Sequence, residues 1–157
     1  GILAHESATF SFDESKFLYF GNSFSKEEDP NIRYIKMYGR KIYEFALSNV
    51  PKAMASCLEK SGITITDVKK ILIHQANEKM DEAIINRFYK LYKMETPVGI
   101  MPMSIHKLGN SSVATVPTLY DLIVNGELEG QSLNKGDVII FASVGAGMNI
   151  NAIVYQM

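Results

Sequence analysis

The stretch Val138-Ile139-Ile140-Phe141-Ala142-Ser143-Val144 constrains the fold of this chain more than any other. It is apolar, rich in β-branched residues and too short for a buried helix. Glycine turns bound it on both sides, Lys135-Gly136-Asp137 before and Gly145-Ala146-Gly147 after, which together mark a strand buried on both faces. Residues 149–156 return as a second strand, and so short a connection joins two strands only in the antiparallel sense. A strand buried on both faces needs a layer above it and a layer below it, so the rest of the chain must cover two sides of one sheet.

The remaining sequence supplies those layers. Residues 1–12 alternate loosely and predict a strand. Residues 13–36 mix charges with Asn, Ser, Gly and Pro30 and predict a linker or surface loop. From Tyr38 the apolar spacing turns helical through Ile42, Tyr43, Phe45, Ala46 and Val50, until Pro51 interrupts it. Ser48 or Asn49 then suits the cap of a second helix, which turns Met54, Cys57 and Leu58 inward and stops at Ser61-Gly62. Thr64 and Asp67 resemble a capping box with a shortened acid and predict a brief helical turn.

Lys70-Ile71-Leu72-Ile73 predicts a buried strand, with His74-Gln75-Ala76-Asn77 at its carboxyl end. Asn77 suits the cap of the following helix, and Glu78 and Asp81 suit its positive first turn. Met80, Ile84, Ile85, Phe88 and Leu91 form that helix's core face. Residues 101–105 predict another strand, entered through Pro102. Gly109-Asn110-Ser111-Ser112 opens a last helix, with Val113, Val116, Leu119, Tyr120 and Ile123 inward and a kink at Pro117. This alternation predicts the α/β class: a five-stranded, mostly parallel mixed sheet with helices packed on its faces.

Composition narrows the function classes. The 157 residues suffice for one domain with a core, and 46% hydrophobic with 21% charged residues is an ordinary globular balance. A net charge of −1 gives no overall field to attract nucleic acid or a membrane surface. The apolar runs are far shorter than a bilayer requires, and no basic segment leads into an apolar one near the start. The single cysteine, Cys57, excludes an internal disulfide and fits a reducing cytoplasm. The opening Gly1-Ile2-Leu3-Ala4, without Met, is expected of a chain cut from a longer one.

Chemistry concentrates at three strand ends. In open α/β sheets, ligand crevices lie outside the carboxyl ends of the strands. His74, Asn110 and the Gly145–Gly147 turn all fall at such places. Taken singly, His74 reads as a structural hydrogen-bonder, Asn110 as a helix cap and the glycines as a tight turn. Taken together, a neutral imidazole N–H, an amide N–H₂ and backbone N–H groups converging on one crevice suit a developing oxyanion. They do not supply a nucleophile. The glycine turn lacks the third glycine and the following helix of a dinucleotide site.

The motifs together resemble the ketoacyl synthase III family of condensing enzymes. His74-Gln75-Ala76-Asn77 is similar to that family's His-Gln-Ala-Asn. Met37-Tyr38-Gly39-Arg40-Lys41-Ile42-Tyr43-Glu44-Phe45-Ala46 resembles its Met-Asn-Gly-Arg-x-Val-Phe-x-Phe-Ala segment. His106-Lys107-Leu108-Gly109-Asn110-Ser111-Ser112-Val113-Ala114-Thr115-Val116-Pro117 resembles its His-x-x-Gly-Asn-Thr-Ser-Ala-Ala-Ser-Ile-Pro stretch, and residues 136–147 its final strand and glycine turn. The matches are colinear over about residues 37–157.

The resemblance implies half of a thiolase-like fold, with residues 1–36 a terminal strand and linker left from the preceding half and 37–157 the C-terminal domain. It implies decarboxylative Claisen condensation of malonyl-acyl carrier protein with an acyl-thioester, in fatty acid or related biosynthesis. His74 and Asn110 would stabilise the enolate, and the backbone at Gly145 and Ala146 would form part of an oxyanion hole. Asn77, Lys79 and Arg87 would meet the carrier protein or its phosphopantetheine arm. No cofactor or metal is implied, because the substrates carry phosphopantetheine or coenzyme A. The full-length family members are expected to be homodimers, with acyl carrier protein, malonyl-carrier protein and acyl-CoA or acyl-carrier protein as partners.

The chain departs from the family pattern in four places. The nucleophilic cysteine belongs to the absent half, and Cys57, mid-helix on an apolar face, reads as core. The isolated fragment is therefore expected to be inactive. The His74-to-Asn110 spacing is several residues longer than in comparable members, with the excess between Leu91 and Met101. His106 matches a family position but reads as structural. Met148-Asn149-Ile150-Asn151 replaces the family's aromatic-Thr-Trp-Gly, so the resemblance does not extend to the shape of the acyl pocket or the substrate range. That last departure keeps a polyketide, quinolone-type or hydroxymethylglutaryl-forming synthase in view. The missing cysteine keeps in view a non-catalytic module that docks carrier protein.

Overall fold

The buried stretch forms β5, Val138–Gly145, and pairs on both sides. β6, Asn149–Gln156, runs back along it from Gly145↔Asn149 to Val138↔Gln156. On the other side β4, Val68–Ile73, runs parallel, with Ile71 opposite Ile140 and Ile73 opposite Ala142. β1, Ile2–Thr9, lies antiparallel along the far edge of β6, giving the order β1-β6-β5-β4. The computed structural model describes residues 1–157.

The α/β class and the antiparallel closing pair are as expected, but the sheet has four strands rather than five. Residues 101–105 do not form the extra strand. Pro102 has no N–H to give to a ladder. The neighbouring polar groups are taken by the side chain of Gln75, which accepts from the N–H groups of Ser104 and Ile105 and donates to the carbonyl of Pro102. The chain turns there into a short helix, α3 (Ile105–Leu108). A backbone bond from Ile71 N–H to Ile100 O, 2.8 Å, ties the segment to β4 just ahead of it.

Period-two alternation divides the sheet between two layers. Ile71, Ile73, Val138, Ile140, Ala142, Ile150, Ala152 and Val154 join the larger core. Over it pack α1 (Gly39–Ser61) and α2 (Glu78–Leu91), which contribute Met54, Cys57, Leu58, Ile84, Ile85 and Phe88. Leu72 and Ile139 face the other way, against Leu119 and Ile123 of α4 (Thr115–Val124) and Leu128 beyond it. Cys57 lies in the larger core as expected, its Sγ 3.4 Å from the carbonyl of Ala152, and burial pushes its thiol up.

Residues 13–36 are more ordered than a linker. β2 (Leu18–Gly21) and β3 (Tyr34–Met37) pair as an antiparallel hairpin, and Tyr19, Phe20, Tyr34 and Ile35 supply it with aromatic and β-branched residues suited to strands. β1 is an integral edge of the main sheet. Its Glu6 accepts from Ser56 Oγ and pairs with Lys60 Nζ, both on α1, at 2.6 and 2.7 Å.

Two prolines act differently from expectation. The last helix begins at Thr115 rather than at residues 109–112, so Pro117 falls in its first turn, where a missing N–H costs nothing and no kink is needed. Val113 is then outside the helix and 90% exposed. Leu91, the last residue of α2, is likewise exposed rather than core. Pro51 does not divide two helices. α1 continues through it for 23 residues and stops at Gly62, whose φ of 71° is the left-handed turn that glycine adopts freely.

The continuity of α1 has a specific source. Proline at 51 cannot donate to the carbonyl of Leu47 one turn earlier, which leaves an acceptor without its helical partner. Arg87 of α2 fills the gap, its Nη1 lying 3.3 Å from Leu47 O. Replacing Arg87 by Ala is therefore expected to destabilise the protein by about 1–2 kcal/mol. Pro51→Ala restores a backbone donor to Leu47, so the same Arg87→Ala change made in that background should cost measurably less. Chemical denaturation of the four proteins of this cycle checks the prediction.

Candidate active site

Because β4 and β5 are parallel, their carboxyl ends share one edge of the sheet. His74 continues the ladder past β4, its N–H donating to Ala142 O at 2.9 Å, while β5 runs on to Gly145. The imidazole is half-buried, and its Nδ1 lies 3.1 Å from the carbonyl oxygen of Ser112. A carbonyl can only accept, so Nδ1 carries the proton and Nε2 is the nitrogen left to face a ligand. Burial holds the ring's pKa below its ordinary value, partly offset by the Ser112 carbonyl. The resting ring is neutral near pH 7 and presents an acceptor. The expected donor pair of neutral imidazole and amide is corrected on this point: the neutral ring's single N–H is already committed to Ser112, and Nε2 donates only once the ring has gained a proton.

Asn110 does not cap a helix. Its Oδ1 accepts from the N–H of Ser112 at 2.9 Å, a local side-chain turn that leaves the Nδ2 end as the outward donor. Gly109 precedes it at φ 66°, ψ −166°, a conformation essentially reserved to glycine. Ser112 joins the two site residues, its N–H serving Asn110 and its carbonyl serving His74. It holds φ at 55°, in the left-handed region, which costs a residue with a side chain on the order of 1–2 kcal/mol.

Gly145 and Ala146 are exposed at the same sheet end. The turn after them is held by Asn149, whose Nδ2 donates to Ala146 O at 2.9 Å. Asn149 also accepts from Thr9 Oγ1, and Asn151 from Ser7 Oγ, at 2.7 and 2.8 Å, while Met148 is buried in the core. The segment that departs from the family pattern is thus a polar cross-strand ladder between β6 and β1.

The positions expected to meet a carrier protein lie on α2. Asn77 caps it, with Oδ1 accepting from Met80 N–H at 3.2 Å. Lys79 is exposed in the first turn, and Arg87 lies two turns on, with one guanidinium nitrogen committed to Leu47. His106 is exposed within α3.

Two residues beside the site carry roles that the sequence did not suggest. Gln75 is one; a buried amide inside a strand-end motif was the available signal. Asp81 is the other. It sits in the first turn of α2, as expected of an acid, but turns inward and is fully buried, with neither carboxyl oxygen hydrogen-bonded. Burial pushes its pKa up to about 7, against the pull of the nearby N–H groups of Asn77 and Ala76. A carboxyl whose folded pKa is raised stabilises the fold below its unfolded pKa, near 4, and loses that contribution as pH rises through about 7. Asp81→Asn should therefore gain on the parent protein by about 1 kcal/mol per pH unit between roughly pH 5 and 7, and level off above, in denaturation curves taken across that range.

Comparison with known proteins decides the family. Residues 58–157 match the family profile described as 3-oxoacyl-[acyl-carrier-protein (ACP)] synthase III C terminal. The chain belongs to this family. Among curated relatives, the β-ketoacyl-[acyl-carrier-protein] synthase III of Oenococcus oeni is 30% identical over 159 residues, covering 99% of this chain and 46% of that protein. Among solved structures, the β-ketoacyl-[acyl-carrier-protein] synthase III of Thermus thermophilus superposes with a TM-score of 0.81 at 22% identity, over 100% of this chain and 46% of the other. A priming β-ketosynthase from the R1128 polyketide biosynthetic pathway superposes with a TM-score of 0.80 at 21% identity, over 100% of this chain and 45% of its own. The chain thus spans less than half the length of these synthase III relatives, and its architecture is the thiolase-like one of their C-terminal part.

Proposed function

We propose that this chain is the enolate-stabilising half of a condensing enzyme that joins malonyl-acyl carrier protein to an acyl-thioester in fatty acid biosynthesis. The observation that carries the reading is the meeting of His74 and Asn110 through one residue, Ser112, at the carboxyl end of the sheet. Loss of carbon dioxide from a malonyl thioester breaks the bond between the carboxylate and the α-carbon. The electron pair moves onto the thioester oxygen, giving an enolate. Asn110 Nδ2 donates to that oxygen. A malonyl carboxylate placed beside the ring raises the affinity of His74 for a proton, so that Nε2 becomes a second donor.

The enolate carbon then attacks an acyl group held on a cysteine of the preceding half. Backbone N–H groups at Gly145 and Ala146 would hold the oxyanion of that step, which collapses with release of the cysteine thiolate. Lys79 and Arg87, with Asn77 at the head of the same helix, would receive the acidic carrier protein or the phosphate of its phosphopantetheine. We assign the reaction to a homodimeric, cytoplasmic protein using acyl-CoA or acyl-carrier protein as primer, with no further cofactor. No helix here is long and apolar enough to cross a membrane.

A specific observation favours a second reading of the substrate. Met148-Asn149-Ile150-Asn151, a polar ladder at Asn149 and Asn151, stands where the fatty-acid family has an aromatic segment, which supports a different primer or extender, such as that of a polyketide synthase. Profiling acyl and extender thioesters on the full gene product separates the two.

His74→Ala and Asn110→Ala in the full gene product are each expected to lower malonyl decarboxylation by roughly a hundredfold or more. Unchanged decarboxylation by folded His74→Ala protein would sink the assignment. Residues 1–157 alone are expected to show no condensation, since no acyl-enzyme can form. Turnover by the purified 157-residue chain would overturn that expectation, and a start codon directly before Gly1 would favour a non-catalytic carrier-protein docking module.

A further inference from the structure

Gln75 directly follows His74 and performs no chemistry in the reading above. Its side chain is fully buried and fully engaged. Nε2 donates to Pro102 O at 2.8 Å, while Oε1 accepts from Ser104 N–H at 2.9 Å and Ile105 N–H at 3.0 Å, with Ser104 Oγ at 3.4 Å. A primary amide is the neutral side chain that can give to a carbonyl with one end and take from two N–H groups with the other.

What it grips is the start of the segment that carries Asn110. From there the chain is stiff. Lys107 N–H and Leu108 N–H both reach Ser104 O at 2.9 Å, and Gly109 N–H reaches Ile105 O at 2.8 Å. Gly109 then makes its glycine-only turn and Asn110 follows. Two residues later the carbonyl of Ser112 returns to the His74 ring. The path from His74 through Gln75, α3, Asn110 and Ser112 back to the imidazole is closed, with Gln75 holding one end and the His74–Ser112 bond the other.

We propose that Gln75 is a positioning residue, a buried amide that fixes where Asn110 stands relative to His74. The inference rests on reading His74 and Asn110 as the working pair. The contacts at Gln75 replace a strand pairing that residues 101–105 do not make, so the leading end of the segment that carries Asn110 is held by one side chain rather than by a ladder. Misplacement of a catalytic group by about 1 Å costs on the order of a hundredfold in rate.

The test uses the full gene product and malonyl-carrier protein decarboxylation, with thermal unfolding as the fold control. Gln75→Met keeps the length but removes every hydrogen bond. It should lower kcat by roughly tenfold to a hundredfold, more than it changes KM, at all pH values. Gln75→Glu keeps an acceptor for Ser104 and Ile105 but faces Pro102 O with a second acceptor unless the introduced carboxyl is protonated. Its kcat relative to the parent protein, measured at each pH so that the titration of His74 is common to both, should recover toward the parent value as pH falls from about 8.5 to 6. Folded Gln75→Met with parental kcat and merely a lower melting temperature overturns the proposal. So does a Gln75→Glu ratio that is flat and near one, which decides the matter if Gln75→Met does not fold. His74→Ala run alongside separates the two claims: if it is inactive, these outcomes bear on Gln75 alone, and if it is active, the site reading and this inference fall together.

Discussion

The parallel pairing of β4 with β5 is the constraint on which the rest of this structure depends. A parallel pair puts both carboxyl ends at one edge, so a histidine one residue past β4 and a glycine turn at the end of β5 are neighbours although they lie far apart in sequence. The crossover between the two strands must be long, and it supplies α2 for one face of the sheet and α4 for the other. An antiparallel arrangement would have sent Gly145 to the opposite edge and left His74 without Ala142.

Within that frame the site is assembled by backbone carbonyls and one buried amide rather than by charge. Ser112, in a left-handed conformation, offers its N–H to Asn110 and its carbonyl to His74. The bond at Nδ1 fixes the tautomer, and burial keeps the resting ring neutral, so what the imidazole can donate depends on the charge a ligand brings. The conformational cost of Ser112 is offset by the hydrogen bonds that its N–H and carbonyl make to Asn110 and His74.

The same economy shows at Pro51. A proline in mid-helix removes a donor, and the neighbouring helix supplies a guanidinium to the carbonyl so exposed. α1 runs unbroken through Pro51, and Arg87 is part of the joint between two helices.

Much was legible in the sequence because it depends on local pattern. Apolar runs and glycine turns determined the closing pair of strands, helical periodicity located α2 with its Asn77 cap, and four ordered motifs pointed to the synthase III family with His74 at a strand end. What misled were features whose outcome is set by distant partners. Pro51 reads as a break until Arg87 is beside it, and residues 101–105 read as a strand until Gln75 takes their polar groups. Residues 13–36 read as a linker because charge obscured two short pairing runs. The imidazole's tautomer and Asp81's inward turn lie beyond any periodicity, since each depends on which groups the tertiary fold sets within hydrogen-bond reach. The sequence by itself determined which residues could do the chemistry; the tertiary structure alone decided their protonation, orientation and mutual position, because hydrogen bonds and burial act over ångströms of space rather than along the chain.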